Sequence, residues 1–208
     1  MSKELAPPLS PSTDLAAVPA RRQSTWMQSV WLRSAGIVLA GSALVAVCAH
    51  GTLPLYFTPV PLSLAPFAVL LLGLMLRPPL AAATLGAYLV EGALGLPVFA
   101  STPSAPGGLA HLLGPTGGYL LSYPLAAASI AFLVRRTDRS FVAAALSAAA
   151  GSLFILFCGT AWLAVLTHAS VQSVLTLAVL PFLPGDALKV VAGAALAAGW
   201  VRVRSRSA

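Results

Sequence analysis

Six apolar stretches take up most of residues 34–201, and each has roughly the length of a membrane crossing. They cover residues 34–50, 53–76, 80–96, 119–134, 141–166 and 186–201. A transmembrane helix needs about 20 mostly apolar residues, and a soluble domain carries about a quarter charged residues. Here 58% of the residues are hydrophobic and 8% are charged. The chain is therefore predicted to be all-α, an integral membrane bundle of six transmembrane helices.

The same composition excludes several classes of protein. A water-soluble globule and a disordered chain both need far more polar residues. The six stretches leave no room in 208 residues for a second soluble domain such as an ATPase. The net charge is +7, but the basic residues do not form a groove-binding patch, so no nucleic acid partner is expected. Cys48 and Cys158 lie in apolar stretches without metal-ligand spacing, which favours plain packing.

The positions of the basic residues predict the orientation. With six crossings and a cytoplasmic N-terminus, the inner segments are residues 1–33, the turn at Arg77, the RRTDR loop and residues 202–208. They hold eleven of the twelve basic residues: Lys3, Arg21, Arg22, Arg33, Arg77, Arg135, Arg136, Arg139, Arg202, Arg204 and Arg206. Cytoplasmic loops carry an excess of Lys and Arg. Both termini are therefore predicted to be cytoplasmic, in a multi-pass protein of the cytoplasmic (inner) membrane.

Three segments depart from a simple helix. Residues 1–33 are rich in Pro and Ser and show no apolar run typical of a signal peptide, so they are expected to form a mostly disordered cytoplasmic tail. Prolines at 54, 59, 61 and 66 exclude a regular helix before about Ala65. Residues 174–183 are apolar but too few to cross a bilayer, which predicts that residues 170–183 form an interfacial or partly re-entrant piece on the outer side.

The outer segments predict a pocket. Residues 97–118, the proline-rich entry to the second helix and residues 170–185 are long, uncharged or nearly so, and rich in Gly, Pro, Ser and Thr. Irregular backbone near a membrane is tolerated where protein buries it or where it lines a cavity. These segments are therefore expected to roof a pocket that opens to the outer side.

Three ionisable residues lie in the helices at membrane depth: Glu91, Asp186 and Lys189. Asp186 and Lys189 are three residues apart, so they share a helix face and can pair. Asp186 suits the start of the sixth helix, where the dipole favours negative charge, whereas Lys189 is disfavoured there unless it meets an anion. Glu91 is either a buried acid bonded to a neighbouring hydroxyl or a ligand-binding group.

Other polar features are less informative. GPTGGY, residues 114–119, lacks the lysine and the preceding strand of a phosphate-binding loop, so it predicts a tight turn and a helix entry. Tyr119 is expected at the interface or in the pocket. His50, His111 and His168 have no metal-ligand spacing and are expected at the surface or the interface. Small residues four apart in the first and last helices allow close helix packing, within the bundle or with a partner.

Three motifs in order, GLPVFA, GPTGGYL and LPGDALK, resemble the BioY family, the biotin-specific substrate-capture (S) components of energy-coupling-factor (ECF) transporters. The resemblance covers about residues 34–201. It implies a six-helix membrane protein, not an enzyme, that binds biotin from the outer side. It also implies a transmembrane coupling subunit and ATPase subunits as partners, with ATP used only by those partners and no cofactor in this chain.

The resemblance also implies a substrate site. The family's LPGDxxK motif maps onto Asp186 and Lys189, GPTGGY onto residues 114–119, and the polar region of the third helix onto Tyr88 and Glu91. Tyr119 and Phe99 are expected to enclose the rings and the tail of biotin. Many members carry Gln where this chain has Ala65, which removes one polar contact. Which polar group meets the ureido ring, and which the carboxylate, stays open at this point.

Three other functions fit parts of the sequence. An S component for another vitamin would share the fold and topology. An intramembrane enzyme would use Glu91 or Asp186 for proton transfer, but the chain lacks a nucleophile motif such as GxSxG. A membrane scaffold would explain the small-residue faces but not the pairing of an acid with Lys189.

Overall fold

The computed structural model describes residues 20–53, 55, 58, 60–100 and 107–206, and this part of the chain is mostly helical. Its elements are α1 (Ala20–His50), β1 (Thr52–Leu53), β2 (Leu62–Ser63), α2 (Ala65–Met75), α3 (Pro78–Ala93), α4 (Leu109–Leu112), α5 (Gly117–Arg135), α6 (Phe141–Thr167), α7 (Val171–Ala178) and α8 (Leu183–Arg206). The short strands pair antiparallel, with Thr52 opposite Ser63. Apart from this ladder, the described fold is helical as predicted.

Local sequence explains where several helices begin. α2 begins at Ala65, as the prolines before it predict, and Pro66 lies in its first turn, where a missing N–H costs nothing. α6 begins after Ser140, whose Oγ accepts a hydrogen bond from the backbone N–H of Ala143 at 3.2 Å. A serine in this position satisfies one of the free N–H groups of the first turn.

The first helix begins earlier than its apolar stretch. α1 starts at Ala20 rather than near Ser34, and its apolar half is the part that follows Ser34. Residues 1–19 lie outside the described part, so the disordered tail stays a prediction, and the side chain of Trp26 lies outside it as well. The chain divides into two units, Met1–Arg33 and Ser34–Ala208. Every feature described below belongs to the second unit.

α5 packs against most of the other long helices of this unit. It contacts α2, α3 and α6, while α8 contacts α2 and α6. Small side chains permit this, because Ala126 and Ala127 are fully buried on α5. Two clusters form the core: one includes Tyr88 and Tyr123, and the other includes Ile130 and lies towards the C-terminal end of α5.

Length and composition qualify only some of these helices as membrane spans. In the described residues, Val30–His50, Gly117–Arg135 and Phe141–Thr167 are long and apolar enough to cross alone. Gln172–Ala178 and Leu183–Arg204 qualify together as a pair bent by 50°, the geometry of a broken span or a re-entrant loop. α2 and α3 have 11 and 16 residues, fewer than a straight crossing needs. The count of six crossings and the position of the termini therefore stay predictions.

Large apolar side chains cover the outside of the helices. Val47, Leu146, Phe157 and Leu188 are between 67% and 72% exposed, and they lie on α1, α6 and α8. A soluble monomer rarely leaves so much apolar surface in water. This surface is suited to contact with lipid acyl chains.

Candidate functional site

A narrow cavity, with an interior of about 60 Å³, lies where the N-terminal halves of α5 and α8 meet the start of α2 and the end of α3. Most of its wall is apolar. Its polar lining residues come from segments far apart in the sequence and are Ser63, Tyr88, His111, Thr116, Tyr119, Tyr123, Ser152, Asp186 and Lys189. Four of the six sequence-predicted site residues are among them: Tyr88, Tyr119, Asp186 and Lys189. We refer to this space as the polar pocket.

A buried ion pair lies in the wall of the polar pocket. Nζ of Lys189 is 3.0 Å from Oδ1 of Asp186, and the two residues are 8% and 9% exposed. Oγ of Ser152, on α6, donates a hydrogen bond to Oδ2 of Asp186 at 3.2 Å. Burying two charges is favourable only when the pair is well hydrogen-bonded, and removing one partner leaves a costly lone charge. The contact with Asp186 accounts for one of the three N–H donors of Lys189.

Asp186 lies in the first turn of α8, as the sequence predicts, and Lys189 lies one turn further along, because α8 begins at Leu183 rather than at Asp186. The helix dipole stabilises the Asp186 carboxylate there and opposes the Lys189 ammonium. The structure therefore offers Lys189 a single compensating charge, Asp186, in the described residues. A ligand that accepts hydrogen bonds from the ammonium would add a second source of stabilisation.

Tyrosine hydroxyls tie the pocket wall to neighbouring segments. The Tyr119 hydroxyl donates to the carbonyl of Ala178, at the end of α7, over 3.3 Å. Gly159 of α6 lies directly against the Tyr119 ring, so a side chain at this position would overlap the ring. The Tyr88 hydroxyl donates to the carbonyl of Val98 at 3.2 Å. These contacts fix two aromatic rings at the edge of the cavity.

The GPTGGY segment forms a tight turn and the start of α5. Nε1 of Trp162, on α6, donates to the carbonyl of Gly114 at 2.9 Å. A Cβ at Gly117 would overlap the carbonyl of Leu112, and a Cβ at Gly118 would overlap the Trp162 side chain. The glycines are therefore required for close approach of backbone and indole, the packing role that the sequence predicts.

Glu91 and Phe99 lie outside the lining of the polar pocket. Oε1 of Glu91 accepts a hydrogen bond from Oγ of Ser42, on α1, at 2.9 Å. The Phe99 ring meets the Tyr88 ring edge-on, with 5.4 Å between the centroids. Phe99 supports the pocket wall through the Tyr88 ring, whereas Glu91 joins α3 to α1. Their direct contact with a substrate stays a prediction.

The structure corrects the expectation for one histidine. His111 was predicted at the surface or interface, but it is 3% exposed and lines the polar pocket. Its ring stacks on the Phe99 ring with 5.1 Å between the centroids, and burial lowers the pKa of the imidazole below its usual value. The reason is the short helix α4, which places His111 against Phe99. His50 and His168 are exposed, as predicted.

Sequence reasoning also missed Ser152, Tyr123 and Thr116. Ser152 and Tyr123 lie on apolar helices whose inward faces are defined only by packing with other helices. Oγ1 of Thr116 is buried and has no hydrogen-bond partner within the described residues. Its position in GPTGGY was a usable signal, because a buried hydroxyl without a partner is rare unless a ligand or water completes it. Ala65 also lines the cavity.

Comparison with known families gives one match over nearly the whole chain. The family model described as "BioY family" matches residues 20–206. It covers every helix that lines the polar pocket.

Named relatives agree with that match. The "Probable biotin transporter BioY" of Pyrococcus horikoshii is 42% identical over 131 residues, which are 63% of this chain and 74% of the relative. The "Biotin transporter BioY" of Thermotoga maritima is 34% identical over 156 residues, 75% of this chain and 88% of the relative. The "Probable biotin transporter BioY" of Bacillus subtilis is 32% identical over 161 residues, with coverage of 75% and 83%.

A solved structure has the same fold. It is the crystal structure of "the S-component for biotin from an ECF-type ABC transporter", and it superimposes with a TM-score of 0.75. The match covers 85% of this chain and 93% of the other, at 24% identity. At this identity the match establishes the shared architecture of the helices.

Proposed function

This chain belongs to the BioY family, and from that membership we propose that it captures biotin and serves in its uptake as the S component of an ECF-type transporter. It is a transport protein and not an enzyme. The observation that carries the proposal is the buried Asp186–Lys189 pair in the wall of the polar pocket. A neutral ligand with both hydrogen-bond donors and acceptors suits this pair.

Biotin has that chemistry at one end. Its ureido ring carries two N–H donors and one carbonyl acceptor, and its other end is a carboxylate on an apolar tail. Asp186 accepts from a ureido N–H while Lys189 donates to the ureido carbonyl, and the total charge of the buried cluster stays zero. A carboxylate at the same place would leave a net negative charge in a low-dielectric site, at a large desolvation cost. We therefore place the ureido ring at the pair and the carboxylate at the cavity mouth.

The remaining lining residues complete this arrangement. The Thr116 hydroxyl, unpaired in the described residues, is free to bond a polar atom of biotin. The Tyr88, Tyr119 and Tyr123 rings flank the sulfur-containing ring and the tail. Ala65, instead of a polar residue, provides room but no hydrogen bond.

Topology and partners complete the proposal. The chain crosses the cytoplasmic membrane six times with both termini inside, and the polar pocket opens outward, consistent with the distribution of Lys and Arg. A coupling subunit docks on exposed small residues such as Gly36 and Gly199, where added side chains would meet nothing within 4 Å. The chain itself holds no cofactor, and the ATPase subunits of the partner module use the ATP.

Direct titration tests the substrate. Purified chain is titrated with biotin by calorimetry, and thiamine and riboflavin serve as controls for the alternative that another vitamin is the ligand. The expected result is saturable binding of one biotin per chain and no heat from the other two. Tighter binding of thiamine or riboflavin than of biotin would refute the proposal.

Biotin analogues test the orientation of the ligand. Biotin methyl ester is expected to bind within about threefold of biotin, because the carboxylate lies at the mouth in high dielectric. 2-Iminobiotin, which replaces the ureido carbonyl by a cationic centre facing Lys189, is expected to bind at least about tenfold more weakly, since like charges in a buried site repel. The reverse order of affinities would place the carboxylate at Lys189.

The buried histidine predicts how stability depends on pH. Because burial lowers the pKa of His111 in the folded chain, the unfolded chain takes up this proton at a higher pH than the folded chain. Stability from this group is therefore present above the unfolded value of about 6.5 and is lost as the pH falls towards the lower folded value. Thermal unfolding at pH 7.5 and pH 5.0 is expected to show a smaller loss for His111→Gln than for the natural chain. His50→Gln changes an exposed histidine and is the control. It is expected to lose as much thermal stability between pH 7.5 and pH 5.0 as the natural chain does.

Glu91 is expected to act in helix packing. Glu91→Ala removes the acceptor of the Ser42 hydroxyl and is expected to lower the free energy of unfolding by about 1 kcal/mol, with biotin affinity nearly unchanged. Glu91→Gln keeps an acceptor oxygen and is expected to unfold like the natural chain. Thermal unfolding and biotin titration of both variants check this. A large loss of biotin affinity in Glu91→Gln would instead place the carboxylate in the site.

A further inference from the structure

A second cavity lies at the opposite ends of the helices that form the polar pocket. It has a volume of about 300 Å³, and its lining includes Leu74, Met75, Arg139, Trp200, Val201 and Arg204. The lining comes from the C-terminal ends of α2, α5 and α8, from the α5–α6 loop and from the start of α6. The polar pocket is lined by the N-terminal ends of α2, α5 and α8. We refer to it as the arginine cavity. Nothing in the capture of biotin requires it.

Positive charge concentrates around the arginine cavity. Arg139 and Arg204 come from different segments, the α5–α6 loop and the last turns of α8, and both line the cavity. Arg77 and Arg139 both lie close enough to Arg135 for like-charge repulsion. Bringing these cations together costs free energy, because like charges at short range destabilise each other. An anion bound between them would remove that cost.

The acidic residue of this loop is used elsewhere. Asp138 accepts a hydrogen bond from the backbone N–H of Ser140 at 3.1 Å, and this bonding holds the pKa of Asp138 below its usual range. Asp138 is fully exposed and does not line the cavity. In the described residues, no carboxylate lines the arginine cavity, so a bound anion would meet no opposing negative charge there.

The backbone at Arg139 is also unusual. Its φ is +54°, in the left-handed region that glycine and asparagine adopt most readily. A non-glycine residue there costs about 1 kcal/mol, and such strained residues cluster at ligand-binding sites. The left-handed turn directly precedes the Ser140 cap of α6 and places Arg139 in the cavity wall.

We propose that the arginine cavity binds the headgroup of an anionic phospholipid, with the phosphate between Arg139 and Arg204. Guanidinium groups bind phosphate oxygens with paired hydrogen bonds. The rest of the lining is apolar and includes Leu74 and Met75 of α2 and Val201 of α8, which suits the acyl chain attached to the phosphate. Trp200 is 56% exposed at the same level, where tryptophan marks the interface between lipid headgroups and acyl chains. Apolar wall, cationic rim and interfacial indole together favour a lipid over a soluble phosphate or an acidic protein segment.

Lipid titration followed by native mass spectrometry tests this assignment on the full chain in detergent. Dioleoylphosphatidylglycerol is expected to bind at least about tenfold more tightly than dioleoylphosphatidylcholine, whose headgroup has no net charge. Arg139→Gln and Arg204→Gln are each expected to weaken phosphatidylglycerol binding about fivefold, and together about 30-fold. Arg136→Gln is the matched control, because its guanidinium lies 4.6 Å from the centre of the Phe132 ring and not in the cavity. That variant is expected to bind both lipids like the natural chain.

Several results would overturn the assignment. Equal affinity for the two lipids would contradict a site for an anionic headgroup. If Arg136→Gln weakened phosphatidylglycerol binding as much as Arg139→Gln does, the effect would come from general surface charge and not from the cavity. Competition by millimolar inorganic phosphate as effective as that by soluble phosphatidylglycerol would assign the site to free phosphate. Loss of transport in the double variant with unchanged lipid binding would assign the arginines to a protein partner. Thermal unfolding of each ligand-free variant verifies folding, and if Arg139→Gln unfolds, Arg204→Gln, in the exposed end of α8, carries the test.

Discussion

Asp186→Asn is expected to lower the affinity for biotin by about 100-fold or more. The change removes the carboxylate oxygen that accepts from a ureido N–H and breaks the buried pair with Lys189, and truncating one partner of such a pair at a binding site costs about 2–5 kcal/mol in binding. Each 1.4 kcal/mol corresponds to a tenfold change in affinity. Calorimetric titration of the purified variant with biotin measures the effect. Lys189→Ala is expected to give a loss of the same order, through the lone Asp186 carboxylate.

A double variant separates binding from folding. Asp186→Leu with Lys189→Met replaces the pair by apolar side chains of similar size, and such replacements are often neutral or stabilising. We therefore expect this variant to unfold at or above the temperature of the natural chain and yet to bind no biotin. Ser152→Ala removes only the hydrogen bond to Oδ2 of Asp186 and is expected to cost about tenfold in affinity. Near-natural affinity in the double variant would exclude the pair from the site.

Gly117→Ala is expected to lower the free energy of unfolding by about 1–3 kcal/mol or more. The added methyl group would overlap the Leu112 carbonyl, a backbone atom that cannot rotate away as a side chain can. The turn before α5 must then shift, and Thr116 and Tyr119 shift with it. We expect a loss of about 5 °C or more in the midpoint of thermal unfolding, together with weaker biotin binding.

Gly86→Ala is the matched control for this substitution. Gly86 lies within α3, and a Cβ there would meet nothing within 4 Å. Alanine is favoured over glycine in a helix by up to about 1 kcal/mol, so this variant is expected to be as stable as the natural chain or slightly more stable. If both variants lost the same stability, close backbone packing at Gly117 would not be the cause.

Features encoded by neighbouring residues were predictable from the sequence. The prolines before Ala65 correctly placed the start of α2, and the three-residue spacing of Asp186 and Lys189 correctly predicted an ion pair near the start of α8. Glycines at 117 and 118 correctly indicated a tight turn. In each case neighbouring residues were a sufficient signal, although Gly118 also packs against the distant Trp162.

Features that depend on packing between distant segments were not predictable in the same way. Ser152 is one of several small residues on an apolar helix, and its bond to Asp186 joins residues 34 positions apart. His111 is buried because α4 folds inward against Phe99, which no local pattern indicates. Residues 170–183 contain α7, whose bend of 50° to α8 fits both a broken span and a re-entrant piece. Tertiary packing decides each of these features. Where a helix is apolar on all sides, the pattern of apolar residues does not indicate which side faces the interior of the bundle.

α8 lines both cavities, so a movement of this one helix changes the two binding sites together. It is one continuous helix of 24 residues, about 36 Å long, with Asp186 near one tip and Arg204 near the other. A stiff rod transmits tilt, so a rotation of about 3° around its midpoint moves both tips by about 1 Å in opposite directions. Biotin bound at one end and a lipid bound at the other would thus both act on the tilt of the same helix. If one ligand changes the affinity for the other, thermodynamic reciprocity requires the reverse effect to be of the same factor. The composition of the surrounding bilayer would then tune how tightly the nutrient is held.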